Sequence, residues 1–243
     1  MSLPFETYKS GEYRAKNPTW DEEDSVWKAG QVSGILSRNK LSPRSVVEVG
    51  CGAGGVLAAL HDESPGVRYV GFEIASDASR FWDKYKEKKI SFVIDDFLSA
   101  DTPRFEALLL LDVVEHIPDP FAFLRALHGR ADYFVFHFPL DLSVVSVLRE
   151  KPLLYVREKV GHIHYFTKGL ALSLIQESGF EVLDWSYTGA AFSAPQLTWK
   201  ARLAQLPRKL ANVVIGRDAG VRLLGGDTLI VLARPLVEYC KPE

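Results

Sequence analysis

The side chains able to do chemistry in this chain cluster just after apolar runs. Glu48 lies near the end of one such run and is followed at once by glycines, in the stretch VVEVGCGAGG from Val46 to Gly55. Glu73, with Ile74 after it, closes VRYVGFE; Asp95, Asp96 and Phe97 follow ISFVI; Asp112 and Val113 follow FEALLLL, with Glu115 and His116 close behind. Further on, GHIHYF holds His162, His164 and Tyr165. A carboxylate accepts hydrogen bonds from sugar hydroxyls or an ammonium group, and a neutral imidazole can take a proton from a hydroxyl near pH 7. Acids for holding a ligand and imidazoles for acting on a second molecule are therefore both present.

The glycine stretch has the form of a turn in which a ligand touches main chain. Glycine adopts positive φ and leaves no Cβ in the ligand's way. Gly50, Gly52 and Gly55 also satisfy G-x-G-x-x-G, and Glu73 stands about where a dinucleotide fold places its ribose acid, so the loop alone is ambiguous. Glu48 distinguishes the readings. A carboxylate at the end of the first strand repels a pyrophosphate but suits the cationic amino-acid end of a sulfonium ligand.

These residues need a scaffold that brings strand ends to one edge. Strands are expected at Arg44–Val49, Val67–Glu73, Ile90–Ile94, Phe105–Leu111, Asp132–Phe138, Phe180–Tyr187 and Thr228–Arg234. A continuous run such as ALLLL implies burial on both faces, hence a mostly parallel sheet covered by helices. Helical patterns fill about Gly54–His61, Ser76–Lys88, Asp119–Leu127 and Lys168–Ser178, the last stopped by Gly179. The alternation predicts an α/β fold, a doubly wound seven-stranded sheet with helices on both faces.

Two regions stand outside the alternation. Residues 1–40 form an N-terminal helical extension with Trp20, Trp27 and the acidic run Asp21–Asp24 opening a helix over Asp21–Ser37, where acids suit the positive helix end. Residues 41–243 form the main domain, with a helical insertion at about 188–226 before the last strand. That insertion carries six basic residues (Lys200, Arg202, Arg208, Lys209, Arg217, Arg222) against Asp218 alone, a local charge of +5. Pro207 is expected to break it into two short pieces. Extension and insertion together are read as a lid over an acceptor pocket.

The ordered set of motifs resembles the class I S-adenosylmethionine-dependent methyltransferases. Glu48, Gly50, Gly52 and Gly54 match that family's acid–x–Gly–x–Gly–x–Gly motif, with Cys51 inside it. Leu111–Pro120 (LDVVEHIPDP) resembles the subgroup with a V-x-E-H-x-x-D-P pattern, and GHIHYFT followed by a helix and Ser178-Gly179-Phe180 resembles a later stretch of it. The resemblance implies S-adenosylmethionine as methyl donor, with S-adenosylhomocysteine as product, and a last strand antiparallel to the rest. It implies Glu73 and Ile74 at the ribose, Asp95 or Asp96 with Phe97 at adenine, and Asp112 and Val113 lining the same site. It leaves His116, His164 and Tyr165 as candidates for acting on the acceptor. In two related groups an acid–x–x–Glu–His set with a distant histidine holds a divalent metal. Asp112, Glu115, His116 and His164 would be that set here, but Glu-His also occurs without metal, and none is expected.

Composition bounds the partners. A charge of −2 over 243 residues gives no global case for nucleic acid, and no run reaches the ~18 apolar residues of a membrane span. Two cysteines and no apolar leader suit a cytoplasmic protein, and the basic insertion leaves room for transient contact with a membrane surface. The expected function is methyl transfer to a small or medium acceptor, at oxygen or nitrogen before carbon. The competing readings are an NAD-dependent oxidoreductase and a non-catalytic nucleoside-binding module.

Overall fold

The computed structural model describes residues 17–20, 22–189 and 206–236. One seven-stranded sheet organises them, in the order β3-β2-β1-β4-β5-β7-β6. Its strands are β1 (Ser45–Val49), β2 (Arg68–Glu73), β3 (Ile90–Ile94), β4 (Phe105–Leu111), β5 (Ala131–Pro139), β6 (Phe180–Tyr187) and β7 (Thr228–Pro235). Strands β1 to β5 pair in parallel, and β7 runs antiparallel between β5 and β6. The seven strands and the antiparallel last strand agree with expectation.

The apolar run of β4 shows why the sheet is doubly covered. Side chains alternate across a strand, so Leu108 and Leu110 enter one core layer while Ala107, Leu109 and Leu111 enter the other. The first layer is rich in phenylalanine (Phe72, Phe97, Phe105, Phe134, Phe136, Phe138) and is closed by α3 (Pro120–Ala126) and α6 (Lys168–Glu177) through Leu124, Ala171, Leu174 and Ile175. The second is closed by α1 (Ser25–Arg38) and α2 (Gly55–Glu63). Ala29, Val32, Ile35 and Leu36 recur at helical spacing on α1 and are buried there. The described part of the N-terminal segment thus supplies core as well as any cover for a pocket.

Several expected helices differ in kind or extent. Ser76–Tyr85 is wound as a 3-10 helix, and Ala78 alone of its residues is buried. Its tighter turn sets Trp82 and Tyr85 three apart on one side, where both rings meet Phe92. The N-terminal helix opens with a 3-10 turn at Glu22–Asp24 before α1. Two unanticipated helices follow β5: α4 (Val144–Arg149), opened by a reciprocal Ser143–Ser146 capping box, and α5 (Lys151–Lys159), with proline in its first turn.

In the basic insertion, Pro207 lies in α7 (Leu206–Val214), directly after residues outside the described set. Gly216 (φ 83°) separates it from α8 (Arg217–Leu224), and the stretch before Pro207, on which the expected break there turns, lies outside the described residues. Lys200 and Arg202 lie outside the described residues, as does Cys240. Among the described residues no helix is long and apolar enough to cross a membrane.

Gly71 on β2 marks how closely the sheet and the glycine turn approach. A Cβ there would stand 2.7 Å from Cys51 Sγ, 2.9 Å from Phe92 and 3.0 Å from Leu57. Gly71→Ala is expected to destabilise the fold by about 1–3 kcal/mol through overpacking. Gly66→Ala, with open space around it, serves as the control. Urea denaturation decides the point, and equal midpoints for the two variants would count against this packing.

Candidate functional site

Parallel strands end at the same edge of a sheet, and ligands in such folds bind in the crevice beyond those ends. Here the edge carries Glu48, Glu73, Asp95, Asp96 and Asp112, and they line one cleft of about 580 Å³ with Ile74, Phe97, Val113 and the turn Gly50–Gly55.

The turn depends on its glycines at two points. Gly50 has φ 77°, and a Cβ there would stand 2.7 Å from Val113. Gly54 has φ 79°, and a Cβ there would stand 2.6 Å from the Phe92 ring. Phe72 O accepts from the N–H groups of Gly50 (2.8 Å) and Cys51 (3.0 Å), which holds the turn against β2. Glu73 then locks it: one carboxylate oxygen accepts from Gly52 N and the other from Ala75 N, each at 3.0 Å. Burial raises the pKa of Glu73, and those two N–H groups oppose the rise. Trp82 donates its indole N–H to Gly52 O at 3.0 Å.

Glu48 is 3% exposed, and its Oε2 has no hydrogen-bond partner among the described residues. Burial pushes its pKa up to about 8; Lys28 pulls it down and Glu73 adds to the rise. The carboxyl is thus poised to ionise when a cation arrives. At the neighbouring corner, Asp95 Oδ1 accepts from Asp96 N (2.8 Å), and Asp96 Oδ1 accepts from Leu98 N (3.0 Å). Asp96 therefore also caps a turn. Phe97 is 1% exposed, with its ring packed on Phe72 and Phe105 in the core.

After β4 the chain turns through Asp112 at φ 55°, an uncommon conformation for a residue with a side chain. Its carboxylate meets His137 Nδ1 at 2.6 Å and Lys28 Nζ at 2.8 Å. Burial alone would raise this acid, but His137 and Lys28 outweigh it and hold Asp112 well below the usual carboxylate range. Trp27 packs edge-on against His137, and Trp20 stands over Gly52. Helix α1 thus contributes Lys28 and Trp27 to the cleft wall.

Backbone hydrogen bonds bring the distant GHIHYF stretch to the turn after β4. Glu115 O accepts from Ile163 N (2.9 Å) and His164 N (3.1 Å). His116 and His162 line the cleft beside Glu115. The His164 and Tyr165 side chains are directed elsewhere: His164 Nε2 lies 2.9 Å from Ile117 O, and Tyr165 donates to Leu153 O at 3.2 Å. Neither belongs to the cleft lining. His116 is a neutral imidazole at pH 7, its pKa lowered to about 4 by burial and then by His162. Glu115 is fully buried, with no hydrogen-bond partner for either carboxylate oxygen among the described residues; burial, then the charge of Asp112, raises its pKa well above the carboxylate range.

Sequence reasoning missed Lys28, and it left Asp141 out although that acid meets His162 Nδ1 at 2.6 Å. Lys28 follows Trp27 on a helix whose pattern signals only a core face, so no local feature marks it. His162 was visible in GHIHYF but could not be ranked above His164 without the fold.

Comparison with known proteins gives three findings. The sequence profile described as "Methyltransferase domain" matches residues 29–184. Among curated proteins, the ubiquinone biosynthesis O-methyltransferase of Roseobacter denitrificans is 24% identical over 198 residues, 70% of this chain and 74% of that one. The protein of the same name from Alkalilimnicola ehrlichii is 28% identical over 92 residues, 35% of this chain and 36% of that one. Among solved structures, a plantazolicin methyltransferase in complex with a monoazolic desmethylPZN analogue and SAH superposes with a TM-score of 0.63 at 14% identity, covering 96% of this chain and 94% of that one. At that identity the superposition shows the fold.

Glu48 gives a test that needs no ligand. Its folded-state pKa is above its unfolded one, so its contribution to stability is full below about pH 4.5 and is lost as pH rises through about 8. Glu48→Gln removes that loss. Its unfolding free energy relative to the parent chain is expected to rise between pH 5 and pH 9, by on the order of a few kcal/mol. A difference that stays flat with pH would show that this carboxyl is ionised throughout.

Proposed function

The chain belongs to the methyltransferase domain family, as an S-adenosylmethionine-dependent methyltransferase, and on that basis we propose that its cleft transfers a methyl group to oxygen or nitrogen of a small or medium acceptor. The observation that carries the donor assignment is Glu48. A buried carboxyl with an unpartnered oxygen under a glycine turn suits an ammonium group and opposes a pyrophosphate. That argues against the dinucleotide reading of the same loop.

In this reading Glu48 and Gly50–Gly54 hold the amino-acid tail of the donor, with Asp112 and Val113 closing that side. Glu73 and Ile74 meet the ribose, and Asp95, Asp96 and Phe97 frame the adenine. The donor brings an electrophilic methyl on a sulfonium, so the protein's main task is alignment of two bound molecules. The acceptor side is Trp20, Trp27, Ile117, Phe123 and Val160, apolar or aromatic residues of the lining, with Glu115, His116 and His162 as its polar groups. An acceptor with a flat apolar body and one polar reacting end fits that wall. Helix α7 exposes Leu206, Leu210 and Val213 beside Arg208 and Lys209, a composition suited to resting on a lipid surface if the acceptor is carried there.

Calorimetry separates the readings. S-adenosylhomocysteine is expected to bind with micromolar or tighter affinity and NAD⁺ to give no saturable heat. Glu73→Gln is expected to weaken S-adenosylhomocysteine by at least about tenfold, the scale of hydrogen bonds to a charged group. Because the ligand's ammonium draws Glu48 into its ionised form, binding at pH 7 should release a proton, seen as a dependence of the heat on buffer ionisation and absent in Glu48→Gln. Comparable binding of NAD⁺ would overturn the assignment.

A further inference from the structure

We propose that His137 is the general base of the reaction, taking the proton of an acceptor hydroxyl on Nε2, with Asp112 as the residue that positions it. The inference rests on the methyl-transfer reading and adds the kind of nucleophile, one that arrives protonated. His137 lies near the end of β5, paired with Leu111 of β4, and its carbonyl accepts from Asp112 N at 3.1 Å. Strand β5 stands beyond β4 from β1, on the side away from the strands that carry Glu73 and Asp95. There His137 lines the cleft with Trp27, Pro139 and Thr228.

The two ring nitrogens are in different situations. Nδ1 lies 2.6 Å from Asp112 Oδ1, and Asp112 is held ionised by His137 and Lys28. An ionised carboxylate can only accept, so Nδ1 carries the proton and Nε2 keeps a bare lone pair. The side chain is 3% exposed, and Nε2 has no hydrogen-bond partner among the described residues. A purely structural histidine at that depth has both nitrogens satisfied; this one lacks a donor, and a hydroxyl is one. Lys28 Nζ, 2.8 Å from Asp112 Oδ2, balances the carboxylate's charge. The imidazole therefore need not be protonated to keep Asp112 ionised. Trp27 covers part of the ring edge-on, with centroids 5.9 Å apart.

The step balances with the methyl donor as its sole co-reactant. The acceptor O–H bond breaks and its proton passes to Nε2, while the oxygen forms a bond to the methyl carbon. The carbon–sulfur bond breaks with its electron pair left on sulfur, giving S-adenosylhomocysteine. The imidazolium so formed is stabilised by Asp112 and later returns its proton to water. The other imidazoles of the cleft are less suited. His116 has Nδ1 on Gly161 O and a pKa lowered to about 4, too low to hold a proton at neutral pH. His162 is paired with Asp141 in the same manner, but its Nε2 faces the buried Glu115 carboxyl at 3.8 Å.

The test uses the full chain, S-adenosylmethionine and two phenols as probe acceptors in mildly alkaline buffer: 4-methylphenol, which stays protonated, and 4-nitrophenol, which is largely ionised. His137→Gln is expected to lose about 10²–10⁴-fold in kcat with 4-methylphenol but less than about tenfold with 4-nitrophenol, since a phenolate needs no base. Equal losses with both would show a structural role and overturn the proposal. Nitrogen-15 spectra of the histidine rings read the same arrangement without turnover, and in the parent chain. With S-adenosylhomocysteine bound, His137 is expected to carry its proton on Nδ1, and its Nε2 resonance to move when 4-methylphenol is added. A proton on Nε2, or an Nε2 resonance indifferent to the phenol, overturns the proposal as well. Asp112→Asn should populate the Nε2–H tautomer, a change that lost packing alone does not produce. Calorimetry with S-adenosylhomocysteine keeps the two readings apart: failure to bind the parent chain breaks the methyl-transfer reading, and binding retained by His137→Gln shows that the variant folds with its donor side intact.

Discussion

Glu73 ties together the turns after β1 and β2 at the edge of the cleft. One carboxylate joins the N–H of Gly52, in the turn after β1, to the N–H of Ala75, beyond β2. The turn could not be held so closely by side-chain packing, because its glycines have none to offer. Its shape depends on main-chain groups accepting from and donating to the neighbouring strand. The parallel pairing of β1 with β2, Glu48 opposite Gly71 and Val49 opposite Phe72, sets those groups at the right height. A shift of one residue in that register would turn Glu48 and Phe72 to the wrong faces.

Charge is distributed unevenly around the cleft, and that unevenness separates its two ends. Asp112 is neutralised by Lys28 and His137, so it acts as a fixed strut between α1, β4 and β5. Glu48 and Glu115 are buried with oxygens that have no hydrogen-bond partner among the described residues. A protein keeps such groups at an energetic cost, and acids perturbed by burial in a cleft are candidates for a functional role.

Helix α1 serves both core and cleft. Its buried face of Ala29, Val32, Ile35 and Leu36 joins the second core layer, and the same helix carries Trp27 and Lys28 to the opening. Anchoring by the core fixes where Lys28 stands. A loop carrying the same lysine would not hold it between three acids with equal constancy, since ordering a loop costs more entropy per contact.

Much of the fold could be read from the chain alone, because its signals are local. Strand length, continuous apolar runs and punctuating glycines specify parallel strands covered on both faces, and Glu48, Glu73, Asp95, Asp96 and Asp112 each follow or close a strand by sequence position. The kind of winding at Ser76–Tyr85 was less legible, since Trp82 and Tyr85 answer to Phe92 rather than to a helical stripe. What only the tertiary structure decided is which of several similar side chains meet. His162 and not His164 faces Glu115, because backbone hydrogen bonds from Ile163 and His164 to Glu115 O fix the register of that segment. Lys28 and Asp141 enter the site from remote positions, and their partners lie 84 and 21 residues away. Local pattern determines where a chain extends or coils; long-range closure determines which charges end up facing one another.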